Sequence, residues 1–428
     1  MKKVAFKTLG CRLNLYETDA IAAEFARKGY KVVDFGPDAD IYVINTCTVT
    51  NQSDRKSRRV LNQSYRLNKD ALTIVTGCMA TNYKEQLAED EKIDYVVDNE
   101  HKTSVLSVVE AHFKGEMVNP DEFEKDVFNY KPADETFHTR SFIKIQDGCN
   151  HFCTYCIVPM VRGRAISRPA EDIFENIRKV VGYGFKEIVL TGVNLGTYKY
   201  ENYDFEKLAE AILDIPGDFR VRISSIEPDG YSASFFRLFQ NPKLTPHMHI
   251  CLQSGSEEIL KKMRRMYTAK EFLQLMEKIR ADYPDFNLTT DIIVGFPGET
   301  ETHFRETVEM VKKIGFGHIH TFKYSVRKGT RAEKMPDQVD EKTKTERSEI
   351  IRQLAEKAKL DYRKSFIGKR QRVLVERFNR RGFATGYGEH YIPIIIESKG
   401  LKKNEFYDVE ITGIQAGEDP VLTAKLTG

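Results

Sequence analysis

Three cysteines on one short loop constrain this chain more than any other feature of its sequence. Cys149, Cys153 and Cys156 have C-x3-C-x2-C spacing and follow the strand-like segment FIKIQDG. Three thiolates on one loop can hold three corners of a [4Fe–4S] cluster, and the fourth iron then lacks a protein ligand. Such an open iron can bind a substrate or cofactor, as the open position of a catalytic zinc site does. The loop therefore predicts an iron–sulfur centre with a chemical role.

A zinc site is the alternative interpretation of this loop. Structural zinc takes four ligands, usually from paired C-x2-C hooks. His151 is the one further ligand nearby, but it lies inside the tight loop and would strain it. The spacing therefore favours iron and sulfide over zinc.

A second set of cysteines follows three predicted strands in the N-terminal part of the chain. Cys11, Cys47 and Cys78 occur in the contexts TLGCRLN, NTCTVT and TGCMA. The alternation of strands and helices predicts an open, mainly parallel α/β sheet, in which ligands gather at the carboxyl ends of the strands. The three cysteines can therefore meet at one edge, although three buried structural cysteines would give the same pattern. The predicted strands are Lys3–Leu9, Ile41–Asn45, Leu72–Val75 and Tyr95–Val97.

Six longer βα units follow between residues 140 and 367. Their number suits a partial (β/α)6 parallel barrel, smaller than the eight-unit form, with its active site at the carboxyl ends of the strands. A long charged helix, Lys342–Phe366, closes this region. The strand candidates are Ser141–Ile145, Glu187–Leu190, Arg220–Ser224, Met248–Leu252, Asn287–Val294 and His318–Tyr324.

Composition changes mark the predicted domain boundaries. Residues 116–139 are acidic and rich in turn residues, which predicts a linker between an N-terminal domain, 1–115, and the barrel, 140–367. Residues 368–428 carry β-rich segments separated by Gly and Asn/Asp turns, which predicts a small β-barrel. The predicted fold class is therefore α/β with a C-terminal β-barrel.

Polar and glycine residues follow several of the central strands and are candidates for cofactor binding. Their shared position at strand ends favours a binding role, whereas each segment alone also fits an ordinary βα turn. The candidates are Gly192 and Asn194 in TGVN, Ser224, Gln253 in QSGS, and Gly295 in GFPGE.

The remaining cysteine and four histidines are expected to be structural. Cys251 lies in the apolar run MHICL, where a buried free thiol is the usual finding. His247, His249, His318 and His320 alternate along strands, so we expect satisfied core histidines.

Charge is unevenly distributed along the 428 residues, whose net charge is only +3. Basic runs occur at residues 55–59 and 261–265 and from Arg363 to Arg381. Each alone fits a solvated helix face, but three together favour a polyanionic partner. In the C-terminal segment, arginines alternate with aromatic residues that can stack on bases, which favours RNA. These arginines are Arg370, Arg372, Arg377, Arg380 and Arg381.

The cysteine count and the hydropathy pattern indicate a cytoplasmic protein. Seven cysteines do not fit a secreted disulfide framework, and clustered cysteines in a reducing compartment are more often metal ligands. We find no stretch of 18 apolar residues and no signal-peptide pattern in MKKVAFKTLG, so no membrane partner is expected.

Six segments taken together give a family resemblance that covers nearly the whole chain in order. TLGCRLNLYET, NTCTVTNQSD, TGCMA, DGCNHFCTYCIVP, CLQSGS and DIIVGFPGET resemble the radical S-adenosylmethionine methylthiotransferases. The resemblance implies a second [4Fe–4S] cluster on Cys11, Cys47 and Cys78, and a C-terminal RNA-binding TRAM domain. It also implies that the open iron of the Cys149 loop chelates S-adenosylmethionine. Tyr155 fills the aromatic position of that loop, and the methionine end of the cofactor is placed at residues 191–194.

The residues at individual positions of these motifs are most similar to those of the enzymes that act on N6-threonylcarbamoyladenosine at tRNA position 37. This implies methylthiolation of adenine C2 in the anticodon stem-loop, with an electron donor such as flavodoxin or ferredoxin. The alternatives are the enzymes that act on isopentenyladenosine in tRNA or on the aspartate of ribosomal protein S12. An iron–sulfur electron carrier with an RNA-binding tail would need eight ligands for two closed clusters, and the chain has seven cysteines.

Overall fold

A computed structural model describes residues 1–133, 139–228, 234–417 and 419–427. The chain forms two compact units. The first consists of Met1–Tyr183, Thr191–Asn194 and Ser325–Glu333, and the second of Gly184–Leu190, Leu195–Tyr324 and Lys334–Gly428.

The first unit contains eight strands and seven α-helices among its described residues. They are β1 (Lys3–Thr8), α1 (Arg12–Arg27), β2 (Lys31–Val33), β3 (Ile41–Thr46), α2 (Asn51–Leu67), β4 (Leu72–Gly77), α3 (Cys78–Asn82), α4 (Lys84–Ala88), β5 (Tyr95–Val97), α5 (Val105–Lys114), β6 (Ser141–Lys144), β7 (Gln146–Asp147), α6 (Val158–Arg162), β8 (Ile166–Ser167) and α7 (Ala170–Gly182).

A parallel sheet of five strands forms the centre of this unit, in the order β2-β1-β3-β4-β5. The central strands β3 and β4 are buried along their whole length, because helices cover both faces of a parallel sheet. The sheet confirms the predicted α/β class. The sequence does not predict the edge strand β2, since its three residues, KVV, are partly exposed and too short to show a period.

Residues 116–133 pack onto the first unit and do not extend away from it. The ring of Tyr130 is buried and lies 5.5 Å from the ring of Tyr16 in an edge-to-face contact. The carbonyl of Val127 accepts a hydrogen bond from Lys144 Nζ at 2.9 Å. The linker predicted for residues 116–139 includes residues 134–138, which lie outside the described residues. The division into three domains remains a prediction.

The second unit contains a set of βα units followed by a run of strands. Its elements are β9 (Glu187–Thr191), β10 (Lys199–Tyr200), β11 (Tyr203–Asp204), α8 (Phe205–Leu213), β12 (Arg220–Ile223), β13 (Ser225–Ile226), β14 (His247–Ile250), α9 (Glu257–Lys262), α10 (Ala269–Asp282), β15 (Asn287–Val294), α11 (Glu301–Ile314), β16 (His318–Lys323), α12 (Glu341–Lys364), β17 (Arg370–Phe378), β18 (Ala384–Tyr387), β19 (Pro393–Ile396), β20 (Phe406–Gln415) and β21 (Val421–Leu426).

Parallel pairing dominates the first part of the second unit. Strand β9 pairs with β12, and β13, β14, β15 and β16 pair in sequence order. The strand predictions for this region and for β6 agree with the structure to within about two residues at each end. These strands are predictable because each is a short apolar run bounded by turn residues.

The last five strands close into a barrel in the order β17-β18-β19-β21-β20. Its core is aliphatic, with Val373, Val375 and Ile394 fully buried. Gly386 allows the closure, because a Cβ at this position would lie 1.8 Å from the carbonyl oxygen of Leu374. The small β-barrel predicted for residues 368–428 is therefore confirmed.

Candidate iron–sulfur site

Three cysteines of the first unit lie just past the carboxyl ends of neighbouring parallel strands. Cys11 precedes α1 at its N-cap, Cys47 follows β3, and Cys78 is the first residue of α3. Burial and the nearby thiols of Cys78 and Cys11 raise the pKa of Cys47 to about 11. The three thiols are thus close enough to influence one another electrostatically, and we call them the N-terminal cysteines.

Two glycines with positive φ allow the backbone to approach at this edge. Gly10 has φ +101°, and a Cβ there would lie 2.7 Å from Cys47 Cβ and 3.0 Å from Cys47 Sγ. Gly77 has φ +95°, and its Cβ would lie 2.4 Å from the carbonyl oxygen of Thr46. Only glycine fits these positions, which explains why a glycine directly precedes both Cys11 and Cys78.

Two buried asparagines provide polar contacts beside these thiols. Asn14 Oδ1 lies 4.0 Å from Cys11 Sγ, and Asn14 Nδ2 donates to the carbonyls of Leu9 and Thr46 at 2.8 and 3.0 Å. Asn99 Nδ2 lies 3.7 Å from Cys78 Sγ and also donates to the carbonyl of Val161 at 2.7 Å. Asn99 thus points an amide N–H at the sulfur of Cys78, which stabilises a thiolate ligand, whereas Asn14 presents its amide oxygen to Cys11.

The central cysteine loop is held by its own backbone. Cys149 N donates to the carbonyl of Gly163 at 3.2 Å, and Cys156 N donates to the carbonyl of Cys153 at 2.9 Å. Gly148 has φ +68°, and a Cβ there would lie 2.0 Å from the carbonyl oxygen of Arg164. Cys153 is buried, whereas Cys149 and Cys156 are half-buried and partly accessible to solvent.

The two sets of cysteines are joined by direct packing within the first unit. Helix α6 begins two residues after Cys156, and its Val161 packs with Ile157 against Cys78 in one apolar cluster. The bond from Asn99 to the carbonyl of Val161 fixes the same contact. The position of one set therefore determines the position of the other.

A buried ionic network lies beside the N-terminal cysteines and is centred on Arg162. Its guanidinium donates to Glu17 at 3.0 Å, to Asp147 at 3.0 Å and to Asn14 Oδ1 at 2.6 Å. Lys144 lies 2.9 Å from Glu17 and 2.6 Å from Asp147. Lys102 lies 2.5 Å from Glu17. Three cations thus face two carboxylates, and the positive excess lies close to the thiols.

The network changes the ionisation of its members. Burial alone would raise the pKa of Glu17, but Arg162, Lys102 and Lys144 hold it well below its ordinary value. Burial alone would lower the pKa of Arg162, but Asp147, Glu17 and the thiols of Cys78 and Cys11 hold it above its ordinary value. Burial raises the pKa of the Cys11 thiol and Arg162 opposes part of that rise, so its charge favours the thiolate form that binds metal.

The donor set of both sites fits iron–sulfur clusters. Soft thiolates suit iron and sulfide at both sites, and the N-terminal cysteines also have a nearby cation, Arg162, and an amide N–H from Asn99. His151, the alternative zinc ligand, has its Nε2 3.4 Å from Asn194 Nδ2. When bound, the clusters would supply electron transfer and an open iron that the side chains themselves cannot provide.

The predicted cofactor residues Tyr155, Gly192 and Asn194 belong to the first unit, as does the Cys149 loop. Buried Gln146 fixes the turn that contains Gly192 and Asn194, because its Oε1 accepts hydrogen bonds from the backbone N–H groups of Val193 and Asn194, both at 2.9 Å. Tyr155 is half-buried within the cysteine loop. These contacts fix a polar turn in the same unit as the central cysteines.

The other three predicted cofactor residues, Ser224, Gln253 and Gly295, belong to the second unit. Ser224 is buried and follows β12. Gln253 has φ +65° and bridges to β15 through backbone hydrogen bonds with Asp291 and Ile293, both at 2.9 Å. Gly295 has φ +70°, its N–H donates to Glu299 Oε1 at 2.8 Å, and a Cβ there would lie 2.3 Å from Lys344 Cγ. The glycine is thus required for packing, whether or not a cofactor contacts it.

Cys251 is buried, as expected, but it has polar neighbours. The ligand atoms of His249, Cys251 and Asp291 all lie within 4.8 Å of one another. His249 Nε2 lies 3.2 Å from Asp291 Oδ1, and its Nδ1 lies 3.0 Å from Thr289 Oγ1. Both ring nitrogens are therefore satisfied, and the apolar context MHICL gives no sign of the carboxylate on the next strand.

The C-terminal arginines differ in their surroundings. Arg372 pairs with Asp218 at 2.8 Å and lies 4.1 Å above the ring of Phe406, so it contributes to packing within the second unit. The remaining four, Arg370, Arg377, Arg380 and Arg381, are exposed, as is Phe378.

Comparison with known proteins identifies the family. Residues 143–311 match the sequence model of a protein family described as the radical SAM superfamily. Residues 3–98 match that of a family described as uncharacterized protein family UPF0004. Threonylcarbamoyladenosine tRNA methylthiotransferase MtaB of Thermotoga maritima is 37% identical over 432 residues, covering 99% of this chain and 97% of its own. The chain belongs to the radical S-adenosylmethionine tRNA methylthiotransferases. Enzymes of this family use S-adenosylmethionine and [4Fe–4S] clusters.

Two further comparisons show the breadth of the likeness. A tRNA-2-methylthio-N(6)-dimethylallyladenosine synthase of Thermoanaerobacter sp. is 35% identical over 387 residues, covering 88% of this chain and 82% of its own. The structure of the radical S-adenosylmethionine methyltransferase TsrM from Kitasatospora setae has a TM-score of 0.55 at 15% identity, covering 76% of this chain and 75% of that one. The structural likeness shows that this methylthiotransferase has the radical S-adenosylmethionine fold. No helix within the described ranges is both long and apolar enough to cross a membrane.

Proposed function

We propose that this enzyme adds a methylthio group to C2 of N6-threonylcarbamoyladenosine at position 37 of tRNA. The observation that carries the proposal is the joining of two cysteine sets within one compact unit, where Val161 and Ile157 pack on Cys78. Methylthiolation of an unactivated ring carbon requires both sulfur and a radical source, so two centres that are rigidly joined suit it.

The chain's own residues have separate roles in this proposal. Cys149, Cys153 and Cys156 hold one cluster, and Cys11, Cys47 and Cys78 hold the second. The cluster on the central loop supplies, when bound, the electron that cleaves S-adenosylmethionine. A radical is needed because the adenine C2–H bond is too weakly acidic for a side-chain base. Arg162 and Lys102 place positive charge beside the N-terminal thiolates and so stabilise the anionic site.

Cofactor and RNA contacts are assigned from the sequence motifs. We infer that Tyr155, Gly192, Asn194, Ser224, Gln253 and Gly295 bind S-adenosylmethionine. Backbone N–H groups and polar side chains at strand ends suit its amino, carboxylate and ribose groups. Arg370, Arg377, Arg380 and Arg381 are exposed and suit the phosphates of the anticodon stem-loop, whereas the ion pair of Arg372 with Asp218 makes it the weakest candidate.

The assignment of the nucleoside rests on relatives and on short motifs. Relatives named for threonylcarbamoyladenosine are 37–38% identical to this chain, and those named for dimethylallyladenosine are 35% identical. The TLGCRLNLYET and NTCTVT wording favours the first group. Acting on tRNA with a reducible cluster, the enzyme would work in the cytoplasm and take electrons from a flavodoxin- or ferredoxin-like donor.

Iron analysis and nucleoside analysis test the proposal together. Anaerobically prepared protein is expected to hold about eight irons per chain, and about four after the three central cysteines become alanine, because each cube holds four. Nucleoside mass spectrometry of tRNA from a deletion strain is expected to show loss of the methylthio-threonylcarbamoyl nucleoside, and plasmid-borne wild-type enzyme should restore it.

Three outcomes would contradict these assignments. An unchanged level of the methylthio-threonylcarbamoyl nucleoside with loss of the methylthio-isopentenyl nucleoside would reassign the substrate. Unchanged tRNA with an unmodified ribosomal aspartate would place the enzyme among the protein-modifying members. Zinc in place of iron at the central loop would refute the radical chemistry.

A further inference from the structure

Helix α2 separates an apolar inner face from a strongly basic outer face. Ser57, Val60, Leu61 and Ser64 are buried against the sheet of the first unit. Helical spacing puts the opposite face in solvent, and every residue of that face is exposed. The outer residues are Arg55, Arg58, Arg59, Asn62, Gln63 and Arg66, and together they line an open groove of about 620 Å³. We call this surface the arginine face.

No carboxylate of the described residues neutralises the four arginines of the arginine face. The one acidic residue of α2, Asp54, is already paired with Arg327 at 2.6 Å. Arg58 lies 5.6 Å from the ring centroid of Tyr83, which holds its guanidinium without neutralising it. Like charges at spacings of three and four residues destabilise a helix, so this arrangement is unfavourable unless an anion binds it.

The arginine face is rigidly tied to the N-terminal cysteines. Ser57, on the inner side of the same helix turn, donates through Oγ to the carbonyl of Cys47 at 3.0 Å and accepts from Cys47 N at 3.3 Å. Thr50 caps the helix by accepting from Ser53 N at 3.1 Å. An anion bound on the outer face is therefore held at a fixed distance from Cys47.

We propose that the arginine face is an RNA-binding surface that grips the phosphate backbone of the substrate tRNA. From Arg55 to Arg66 the face extends about 16 Å at 1.5 Å per residue, long enough for several consecutive phosphates. The guanidinium group of arginine can donate two hydrogen bonds to one phosphate, and the side-chain amides of Asn62 and Gln63 can form hydrogen bonds with ribose hydroxyls. This inference rests on the proposed function, because it takes tRNA as the polyanion, and it adds a surface outside the C-terminal barrel.

Equilibrium binding as a function of salt tests the proposal in the full-length enzyme with both clusters loaded. We compare wild type with R55Q/R58Q/R59Q/R66Q, using unmodified substrate tRNA as the probe. The variant is expected to bind about 10- to 100-fold more weakly, and the slope of log K against log salt should fall by about one for each phosphate that the variant no longer neutralises. In turnover assays KM should rise by a similar factor, whereas reductive cleavage of S-adenosylmethionine without RNA should be unchanged.

A charge-matched control separates this surface from a general reduction of positive charge. K270Q/K278Q/R305Q/K312Q removes four exposed cations from α10 and α11 and should leave affinity and slope within about twofold of wild type. Equally weakened binding in both quadruple variants would overturn the proposal, as would an arginine-face variant that binds tRNA normally. Loss of binding to phosphatidylglycerol vesicles with normal tRNA binding would assign the face to a lipid surface instead. Failure of wild type itself to bind or modify tRNA would defeat the proposed function, a result distinguishable from these.

Discussion

Arg162 is the residue on which the geometry of the first unit most depends. Replacing it by methionine removes the hydrogen bonds of its guanidinium to Glu17, Asp147 and Asn14, although Lys144 and Lys102 still pair with the two carboxylates. Losing buried hydrogen bonds to charged groups costs about 1.5–3 kcal/mol. We expect R162M to lower the unfolding free energy of cluster-free protein by that amount, measured by denaturant titration. R162K should be less destabilising, since lysine keeps the positive charge but lacks the planar guanidinium that donates several hydrogen bonds.

Arg164 provides the comparison for this change. It is exposed and lies 4.3 Å from the ring of Phe152. R164M should therefore change the unfolding free energy by no more than about 0.5 kcal/mol. Equal denaturation midpoints for R162M and R164M would show that the network does not support the fold.

Gly10 offers a test of the N-terminal cysteines that alters no ligand. A methyl group at Gly10 would collide with Cys47 Cβ and Sγ, whereas at Gly29, which also has positive φ (+86°), it would meet nothing within 4 Å. Both alanine variants carry similar backbone strain, so only G10A should disturb the thiols. Iron content is expected to fall from about eight to about four per chain in G10A and to stay near eight in G29A. Equal iron in both variants would mean that the second cluster is held elsewhere.

Residues differ in how far the sequence can reveal them. The cysteines are recognisable because ligands on one loop or after successive strands leave a local pattern. Arg162 follows the cysteine loop in sequence and is buried. Its partners Glu17 and Asn14 are 145 and 148 positions away, and no local pattern reports such a pairing. The groups that tune the site therefore become visible only in the fold.

At the level of elements, βα turns are the places where packing and binding roles coincide. Gly295 follows β15, and an alanine there would meet Lys344 Cγ of α12 at 2.3 Å. We expect G295A to destabilise the second unit by about 1–3 kcal/mol, because overpacking and positive φ both cost energy. Adding K344A should relieve the overpacking part, as measured by a double-mutant cycle in thermal unfolding.

The same pair of changes examines the cofactor assignment of Gly295. If the glycine also contacts S-adenosylmethionine, G295A/K344A should regain stability and still bind the cofactor more weakly than K344A alone. Recovery of both properties together would show that Gly295 is needed for packing only. Isothermal titration with S-adenosylmethionine under anaerobic conditions distinguishes the two results.

Elements themselves are largely predictable, and the exceptions have a physical reason. Strands β3, β4 and β15 are six to eight residues long, mostly buried and rich in aliphatic and β-branched residues, and segments of this kind carry a clear signal. Strand β2 and the two-residue strands β7 and β8 form because neighbours offer hydrogen bonds, and their own residues show no period. Short elements of this kind depend on tertiary context, which overrides local preference.

For the whole molecule, the distribution of charge matters more than its total. A net charge of +3 over 428 residues gives no indication of a nucleic-acid partner. The structure shows where the positive charge lies, because among the described residues acidic partners neutralise many surface cations but not the arginine face. The basic run at residues 55–59 is visible in the sequence, but the sequence alone cannot distinguish it from a solvated helix face.

His390 makes the stability of the second unit sensitive to mild acid. Its ring packs 4.8 Å from Phe366, its Nδ1 lies 3.2 Å from Gln371 Oε1, and its carbonyl accepts from Asn287 Nδ2 at 2.7 Å. Burial lowers the pKa of His390 to about 4, against about 6.5 in an unfolded chain. The unfolded state therefore binds the proton first, and stability is complete above pH 6.5 and falls as the pH drops towards 4.

The expected decrease in stability across that window is about 3 kcal/mol, from a pKa difference of about 2.5 units at 1.36 kcal/mol each. His318, whose pKa burial likewise lowers to about 4, acts in the same window. Urea unfolding of the second unit at pH 7.5, 6 and 5 measures how the unfolding free energy depends on pH. H390Q should reduce this dependence, and H318Q should reduce the part that His390 does not account for. At pH 7.5 both histidines are neutral in either state, so wild type and H390Q should show the same pH dependence there. If H390Q loses as much unfolding free energy between pH 7.5 and pH 5 as wild type does, His390 is protonated equally readily in the folded and unfolded states.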